Sequence, residues 1–372
     1  MQCFTLLASL LRRLLCYCSL PCPARPGPAL AASFFEGKNL NFVINFTPGG
    51  PTDFEGRLVA RHLGKHMDGN PTIVVRNMPG AAGVVGLNWL GQVAGKDGLT
   101  LGYLAGVTTK VVMGDPAIKV DVRNMTFIAG VPGMSVTYIR RNVPPGMNKP
   151  LDVMKAADFW AGGLTPESAK DVRMRMQLDL LGIKYRYVSG YPGAAEARLA
   201  FQRGEIHLTA ETIPTYRASI EPALVNTGEA IPLWIDPMDD GVDLTQSPDA
   251  EGIPADNFYE FYRKAMGKEP EGELWDAYRV INAVSAMYLR LIMMPAGAPD
   301  AAVSTIKAAL DKVQKSTEFR DEAMKGMRFV PRYNSDPRSK QRFLDVLEPT
   351  PAIRSFLRAY IDKGKQSSTR GR

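Results

Sequence analysis

Residues 41–46, Asn41-Phe-Val-Ile-Asn-Phe46, form an apolar run that stops abruptly at Pro48-Gly49-Gly50-Pro51. Val, Ile and Phe favour a strand, and the Gly/Pro cluster ends it. A helix is expected next. Val59, Leu63 and Met67 recur at i, i+4 and i+8, so they share one stripe, while Arg57, Arg61 and Lys65 keep the same spacing on the opposite side. Thr52 or Asp53 is placed to cap its start, and Asp68-Gly69-Asn70-Pro71 stops it. The pattern then repeats: a strand over 72–76, the small-residue loop Pro79-Gly80-Ala81-Ala82-Gly83, a helix to about residue 94, and a strand over 99–104. Strands alternating with helices predict a parallel sheet with helices on its faces.

The same grammar returns further along. A helix is expected over 151–159 and another over 167–181, opened by the loop Ala161-Gly162-Gly163-Leu164-Thr165-Pro166. A strand over 185–188, the loop Ser189-Gly190-Tyr191-Pro192-Gly193, a helix over 194–203 and a strand over 206–210 follow. Two α/β lobes are therefore expected, which suits 372 residues at about 150 per domain. Residues 237–272, rich in Asp, Pro and Gly, read as surface loops around a short helix at 258–266. Residues 288–294 read as a buried strand, leading through Pro295-Ala-Gly-Ala-Pro299 into a helical C-terminal stretch.

Composition narrows the function classes. All four cysteines, Cys3, Cys16, Cys18 and Cys22, lie in the first 22 residues, so the remainder holds no disulfide, thiolate nucleophile or cysteine metal site. The same segment reads as an export leader: it is rich in Leu, Phe and Cys, and Ala29-Leu30-Ala31 fits the A-x-A cleavage pattern, although Arg12 and Arg13 interrupt the apolar run. Cleavage is expected near Ala31-Ala32. The net charge of +7 belongs to the ends, with +3 on residues 1–33 and +4 after Asp362, which leaves the body neutral. No nucleic-acid footprint is expected on such a body. The best membrane candidate, 280–295, is too short and is broken by Arg290.

The loops carry the functional reading. In open α/β sheets, ligands bind outside the carboxyl ends of the strands. Gly49, Gly50, Gly80 and Gly83 let backbone N–H groups approach a ligand, and helix N-termini favour anions. Glycine and proline also make tight βα turns whatever the loop holds. Neither loop matches G-x-G-x-x-G or a P-loop. His62 and His66, spaced i, i+4, lack the Glu of H-E-x-x-H and a third ligand, so both are expected on the solvated surface. His207 is expected to be structural. Trp275, Tyr278 and Tyr288 are expected in the core. No catalytic triad, metal site or cofactor site is legible.

These blocks resemble a known family. Phe46-Thr-Pro-Gly-Gly-Pro-Thr-Asp-Phe-Glu-Gly-Arg57, Asn77-Met-Pro-Gly-Ala-Ala-Gly83, Gly190-Tyr-Pro-Gly-Ala-Ala-Glu-Ala197 with Arg203-Gly204-Glu205, and Met294-Pro-Ala-Gly-Ala-Pro299 resemble, in order, the substrate-binding receptors of tripartite tricarboxylate transporters, the Bug or TctC-like family. The similarity spans about residues 38–362. It implies an α/β type II periplasmic-binding-protein fold, with two lobes joined by a two-crossing hinge that closes on ligand. The implied divisions are a leader at 1–33, lobe 1 at 34–140 and 289–362, lobe 2 inserted at 141–288, and a disordered tail at 363–372.

The resemblance also implies ligand contacts. The first lobe would supply Thr47, Gly49, Gly50, Thr52 and Asp53, then Gly80, Ala81, Ala82 and Gly83, then Gly106, Val107 and Thr108. The second would supply Thr165, Ser168, Tyr191, Gly193, Ala194 and Glu211. Pro51 stands where the family usually has a small flexible residue, and Glu167 adds negative charge beside a carboxylate site. The implied function is a monomeric periplasmic receptor that delivers a small carboxylate to permease subunits and catalyses nothing. A sensor reporting to a signalling membrane protein is the alternative. An enzyme on the same fold would need a nucleophile, metal or covalent cofactor.

Overall fold

The computed structural model describes residues 33–191 and 193–370. The export leader and its cleavage site lie outside the described residues, as does Pro192. From Phe34 onward the described chain packs as one compact unit.

The opening units form where the patterning places them. Strand β1 (Asn39–Ile44) feeds helix α1 (Pro51–His66). Pro51 occupies the first helical position, where its fixed φ suits the helix and its missing N–H costs nothing. The N-cap is Gly50, without a side-chain bond, so neither Thr52 nor Asp53 caps the start as expected. Val59, Leu63 and Met67 are all buried, as the stripe predicts. Then come β2 (Thr72–Asn77), α2 (Val84–Gln92), β3 (Thr100–Ala105), α3 (Thr108–Met113), β4 (Thr126–Val131) and β5 (Ser135–Arg140).

Next are β6 (Trp160–Gly162), α4 (Ala169–Leu180), β7 (Arg186–Ser189), α5 (Ala194–Arg203) and β8 (Leu208–Thr212). Helix α6 (Ile213–Thr215) runs on as a wider-turned helix (Tyr216–Val225) before β9 (Ala230–Ile235). A small hairpin of β10 (Met238–Asp239) and β11 (Leu244–Thr245) precedes α7 (Phe258–Met266) and α8 (Glu273–Asn282). The chain ends with β12 (Arg290–Met294), α9 (Asp300–Lys315), α10 (Thr317–Met327), α11 (Pro337–Leu347), α12 (Pro351–Ser367) and β13 (Thr369–Arg370).

Two sheets result. The first has the order β2-β1-β3-β12-β4, with β1 parallel to β2 and β3 and β12 antiparallel to its neighbours. The second has the order β13-β7-β6-β8-β5-β9. Because β1, β2 and β3 are parallel, their carboxyl ends lie on one edge, and the loops to α1, α2 and α3 gather there.

One face of the first sheet buries Phe42, Ile44, Leu58, Leu63, Tyr103, Ile306 and Leu310 among β1, α1, β3 and α9. Each such side chain contributes about 1.5–3 kcal/mol. A second cluster runs from Leu90 and Phe127 through Tyr288 to Tyr278, Trp234 and Phe258, so it spans both sheets. Trp275, Tyr278 and Tyr288 belong to it, as expected for core residues.

Three expectations are corrected. Strand β5 pairs with β8 and β9, so the chain leaves the first sheet at residues 132–134, before the expected boundary at 140. Residues 151–159 make only a short 3₁₀ turn over Pro150–Lys155, because Ala156 turns extended. The tail from Lys363 is ordered to Arg370: α12 continues to Ser367 and β13 pairs with β7. The reason is packing, since Ile361 and Gly364 are buried and Gly364 lies under the Arg175 guanidinium.

Candidate functional site

A single amide organises the loops of the first sheet. Asn45 follows β1 and is fully buried. Its Nδ2 donates to the Gly83 carbonyl at 3.1 Å and the Ala105 carbonyl at 2.9 Å, and its Oδ1 accepts from the Ala105 N–H at 2.9 Å. The end of β1, the loop before α2 and the end of β3 are thus tied at one point. Gly83 has φ +95°, and a Cβ there would lie 2.8 Å from the Ala105 carbonyl oxygen and run into the Asn45 amide. Ala81 and Ala82 beside it hold left-handed φ of +47° and +49°. Such strain is concentrated at ligand loops.

Asp53 fixes the first loop from inside. Its carboxylate accepts from the Gly49 N–H at 2.9 Å, Arg57 Nε at 3.0 Å and Asn77 Nδ2 at 2.8 Å. Burial pushes this carboxyl up, but the bonds from Gly49, Arg57 and Asn77 outweigh it and hold it below the usual range. Asp53 is therefore a scaffold whose acceptors are already engaged. Asp53→Ala is expected to cost about 2 kcal/mol, from the lost hydrogen bonds of Gly49 and Asn77 to a charged carboxylate. The pH dependence follows the same sign. A depressed native pKa contributes stability above about pH 4, lost as pH falls through the native value. Urea unfolding at pH 7 and pH 3 should show the wild type losing more of its stability on acidification than the variant.

Two cavities flank the meeting of the sheets. The larger measures ≈ 590 Å³. Ala82, Gly106, Thr108 and Thr109 line it from the first-sheet loops, Thr165, Ser168 and Ala169 from the start of α4, and Leu289 from the chain entering β12. Helix α12 closes one side with Arg358 and Ile361. The smaller, ≈ 440 Å³, is lined by Gly49, Gly50, Glu55, Thr212 and Arg290, and Leu289 lines it too. A cavity of ≈ 560 Å³ lies against β7 and α12, around Arg175, Tyr185 and Tyr360. A groove of ≈ 1040 Å³ runs past Arg217 and Arg320. Neither is lined by a first-sheet loop.

The expected contacts divide accordingly. Ala82, Gly106, Thr108, Thr165 and Ser168 come together on the larger cavity, and Gly49 and Gly50 lie on the smaller one. Thr47, Thr52, Gly80, Ala81, Gly83 and Val107 shape the loops without lining either, and Asp53 is spent on scaffolding. Tyr191, Gly193 and Ala194, around the start of α5, also line neither. Glu211 is buried in β8, 3.6 Å from Arg198, and burial pushes its carboxyl up against the pull of Lys170 and Arg198.

Chemically, the larger cavity offers hydrogen-bond donors. Ser168 caps α4 by accepting from the Asp171 N–H at 3.3 Å, which leaves the first N–H groups of a twelve-residue helix beside the cavity. Thr108 already donates to the Tyr288 carbonyl at 3.1 Å. Among the described residues no histidine lines either cavity. His62 was expected on the surface but is fully buried, with Nε2 2.7 Å from Glu322 of α10 and its ring edge-on to Phe319. The reason is α10, which covers this side of α1. His207 Nδ1 accepts the Trp160 N–H at 3.2 Å, a structural role as expected.

Sequence reasoning missed Asn45, Leu289, Arg290 and the α12 wall. A polar amide ending an apolar strand is a legible signal for Asn45. Nothing local marks the others, which reach the cavities through long-range packing.

No family model matches the chain. It is 28% identical over 213 residues to a Cupriavidus necator protein described as "UPF0065 protein in gbd 5'region", a match covering 53% of this chain and 60% of that protein. The chain thus matches less than two thirds of that curated relative. Among solved structures it is similar to a TctC solute binding protein from Polaromonas, with a TM-score of 0.64 and 18% identity over 88% of this chain and 99% of the other. The periplasmic binding protein BugD gives 0.55 and 17% over 90% and 100%. An R. palustris protein with adipate gives 0.56 and 17% over 90% and 99%. These likenesses establish the two-lobe α/β fold of periplasmic binding proteins, the fold that the resemblance implies.

Proposed function

From a fold shared with the TctC and Bug binding proteins, we propose that the chain is a periplasmic solute-binding receptor. It captures a small organic carboxylate between its lobes, delivers it to the membrane subunits of a tripartite tricarboxylate-type transporter, and catalyses no reaction. One observation carries this reading: donors from both lobes converge on the ≈ 590 Å³ cavity, with Gly106 and Thr109 on one side and Thr165, Ser168 and the start of α4 on the other. A helix N-terminus attracts an anion, and its N–H groups hold a carboxylate without an arginine clamp. Contacts from both sides make closure and binding one event, which is the signal a permease can read. The similar R. palustris structure contains adipate, a small carboxylate. Among the described residues no helix is long and apolar enough to cross a membrane.

Thermal unfolding of the chain against a panel of organic acids tests the reading. An acid at about 100 times its Kd should stabilise by roughly 2.7 kcal/mol, a shift of several degrees. No shift with any acid, before or after unfolding and refolding to strip bound ligand, would overturn it. A second expected result concerns Thr165, which is exposed at the cavity. Thr165→Val should leave stability within about 0.5 kcal/mol. It should weaken acid binding about tenfold or more, because hydrogen bonds to charged groups contribute roughly 1.5–3 kcal/mol. Calorimetric titration would measure it.

A further inference from the structure

Resting on the carboxylate-receptor reading, we infer that the ligand is a monocarboxylate with a compact apolar body, aromatic or branched aliphatic, and that Met113 and Ile361 select it. The first argument is charge balance. Three cations line the larger cavity, Lys110, Arg358 and Lys365, and three carboxylates oppose them, Asp115, Glu167 and Asp362. Lys110 Nζ lies 3.1 Å from Asp115, and Lys365 Nζ lies 3.2 Å from Asp362. Arg358 Nη2 donates to the Met113 carbonyl at 2.8 Å. In the smaller cavity Arg290 Nη1 is 3.0 Å from Glu55. One carboxylate can sit on the α4 N-terminus. For a second, Lys110 and Lys365 are already paired, and Arg358, bonded to a carbonyl, is offset by Glu167 in a lining with no net positive charge; burying a carboxylate without its own cation is strongly disfavoured.

The second argument is the wall. Away from α4 the larger cavity is lined by Met113, Val284, Tyr288, Leu289 and Ile361. An apolar body against these side chains gains about fourfold in affinity for each methylene it buries. Ile361 is held in place from both lobes. On its helix, Tyr360 Oη donates to Asp179 of α4 at 2.5 Å, and Arg358 reaches the carbonyl that ends α3. The C-terminal helix thus sets the far end of the cavity.

The test is calorimetric titration of the full chain with benzoate, phenylacetate and 4-methylvalerate against succinate, adipate and citrate. It is repeated on Met113→Lys, where a half-exposed side chain gives way to a cation without opening the core. The expected result is at least tenfold tighter binding of one or more monocarboxylates than of any di- or tricarboxylate. Met113→Lys should weaken the monocarboxylates and tighten adipate, with circular dichroism unchanged. Adipate, succinate or citrate binding tightest to the wild type would overturn this inference and leave the receptor reading standing. An unchanged preference in a folded Met113→Lys would overturn the selecting role of Met113. Binding of no acid at all would overturn both readings.

Discussion

Arg173→Met is expected to destabilise the fold by about 3–5 kcal/mol, the cost of leaving a buried charge without its partner. Arg173 lies in α4 and Asp236 just after β9, both almost wholly buried, with Nη2 2.7 Å from the carboxylate. The same guanidinium donates to Ser135 Oγ at 2.9 Å and to Ser285 Oγ. Asp236 also accepts from the Ser135 N–H at 2.7 Å and from Gln177 Nε2 at 3.0 Å. Ser135 follows the first passage between sheets and Ser285 precedes the second, so Arg173 ties both passages to the helix whose N-terminus faces the larger cavity.

The loss should shrink on acidification. Burial already pushes the Asp236 carboxyl up, and Arg173 is the largest opposing influence. Without Arg173 the native pKa rises further. A raised native pKa means stability that is full below the unfolded value of about 3.9 and is lost as pH rises through the native value. The variant should therefore lie closer to wild type at pH 4 than at pH 7. Arg173→Met with Asp236→Leu should be more stable than either single change, because both charges leave together. Urea unfolding of the four proteins at two pH values measures all of this.

Asn45→Ala should have the next largest effect, about 2–4 kcal/mol of stability and at least a tenfold loss of acid affinity. It strands the Ala105 N–H and the carbonyls of Gly83 and Ala105 in a dry site, and each unmade bond there costs about 1–3 kcal/mol, partly relieved by relaxation. Binding suffers because the loops carrying Ala82 and Gly106 lose their common anchor. Asn45→Asp should do no better, since it keeps the acceptor for Ala105 but turns an anion toward two carbonyls. Gly83→Ala should mimic the binding loss from the other side of the bond, given φ +95° and the 2.8 Å approach to the Ala105 carbonyl. Urea unfolding and calorimetric titration separate the two effects.

The local grammar was readable because each unit signals its own ends. Pro51 opens α1, Gly204 closes α5 in a left-handed turn, and residues 194–203 and 258–266 are helices with the bounds their patterns gave. What lay hidden is long-range. Strand β5 is apolar enough for either sheet, and only its pairing with β8 and β9 assigns it. The tail after Asp362 reads as basic and polar, yet Gly364 tucks under Arg175, and the helix survives to Ser367. The site shows the same divide. The glycine loops announce themselves, while Asp53 looks like a ligand contact until its partners at Gly49, Arg57 and Asn77 are seen. Tyr191, Gly193 and Ala194 carry a loop motif as clear as that of the first lobe, and still line neither cavity.

The most direct test is a crystal structure of the chain with the acid that stabilises it most. The account predicts a carboxylate at the start of α4, about 2.7–3.2 Å from its first N–H groups and from the Thr165 or Ser168 hydroxyl. The remainder of the ligand should lie across the cavity, against the wall that Met113, Leu289 and Ile361 form beside the first-sheet loops. An acid bound instead beside Arg175 and Tyr360, or in the groove past Arg217 and Arg320, would contradict it.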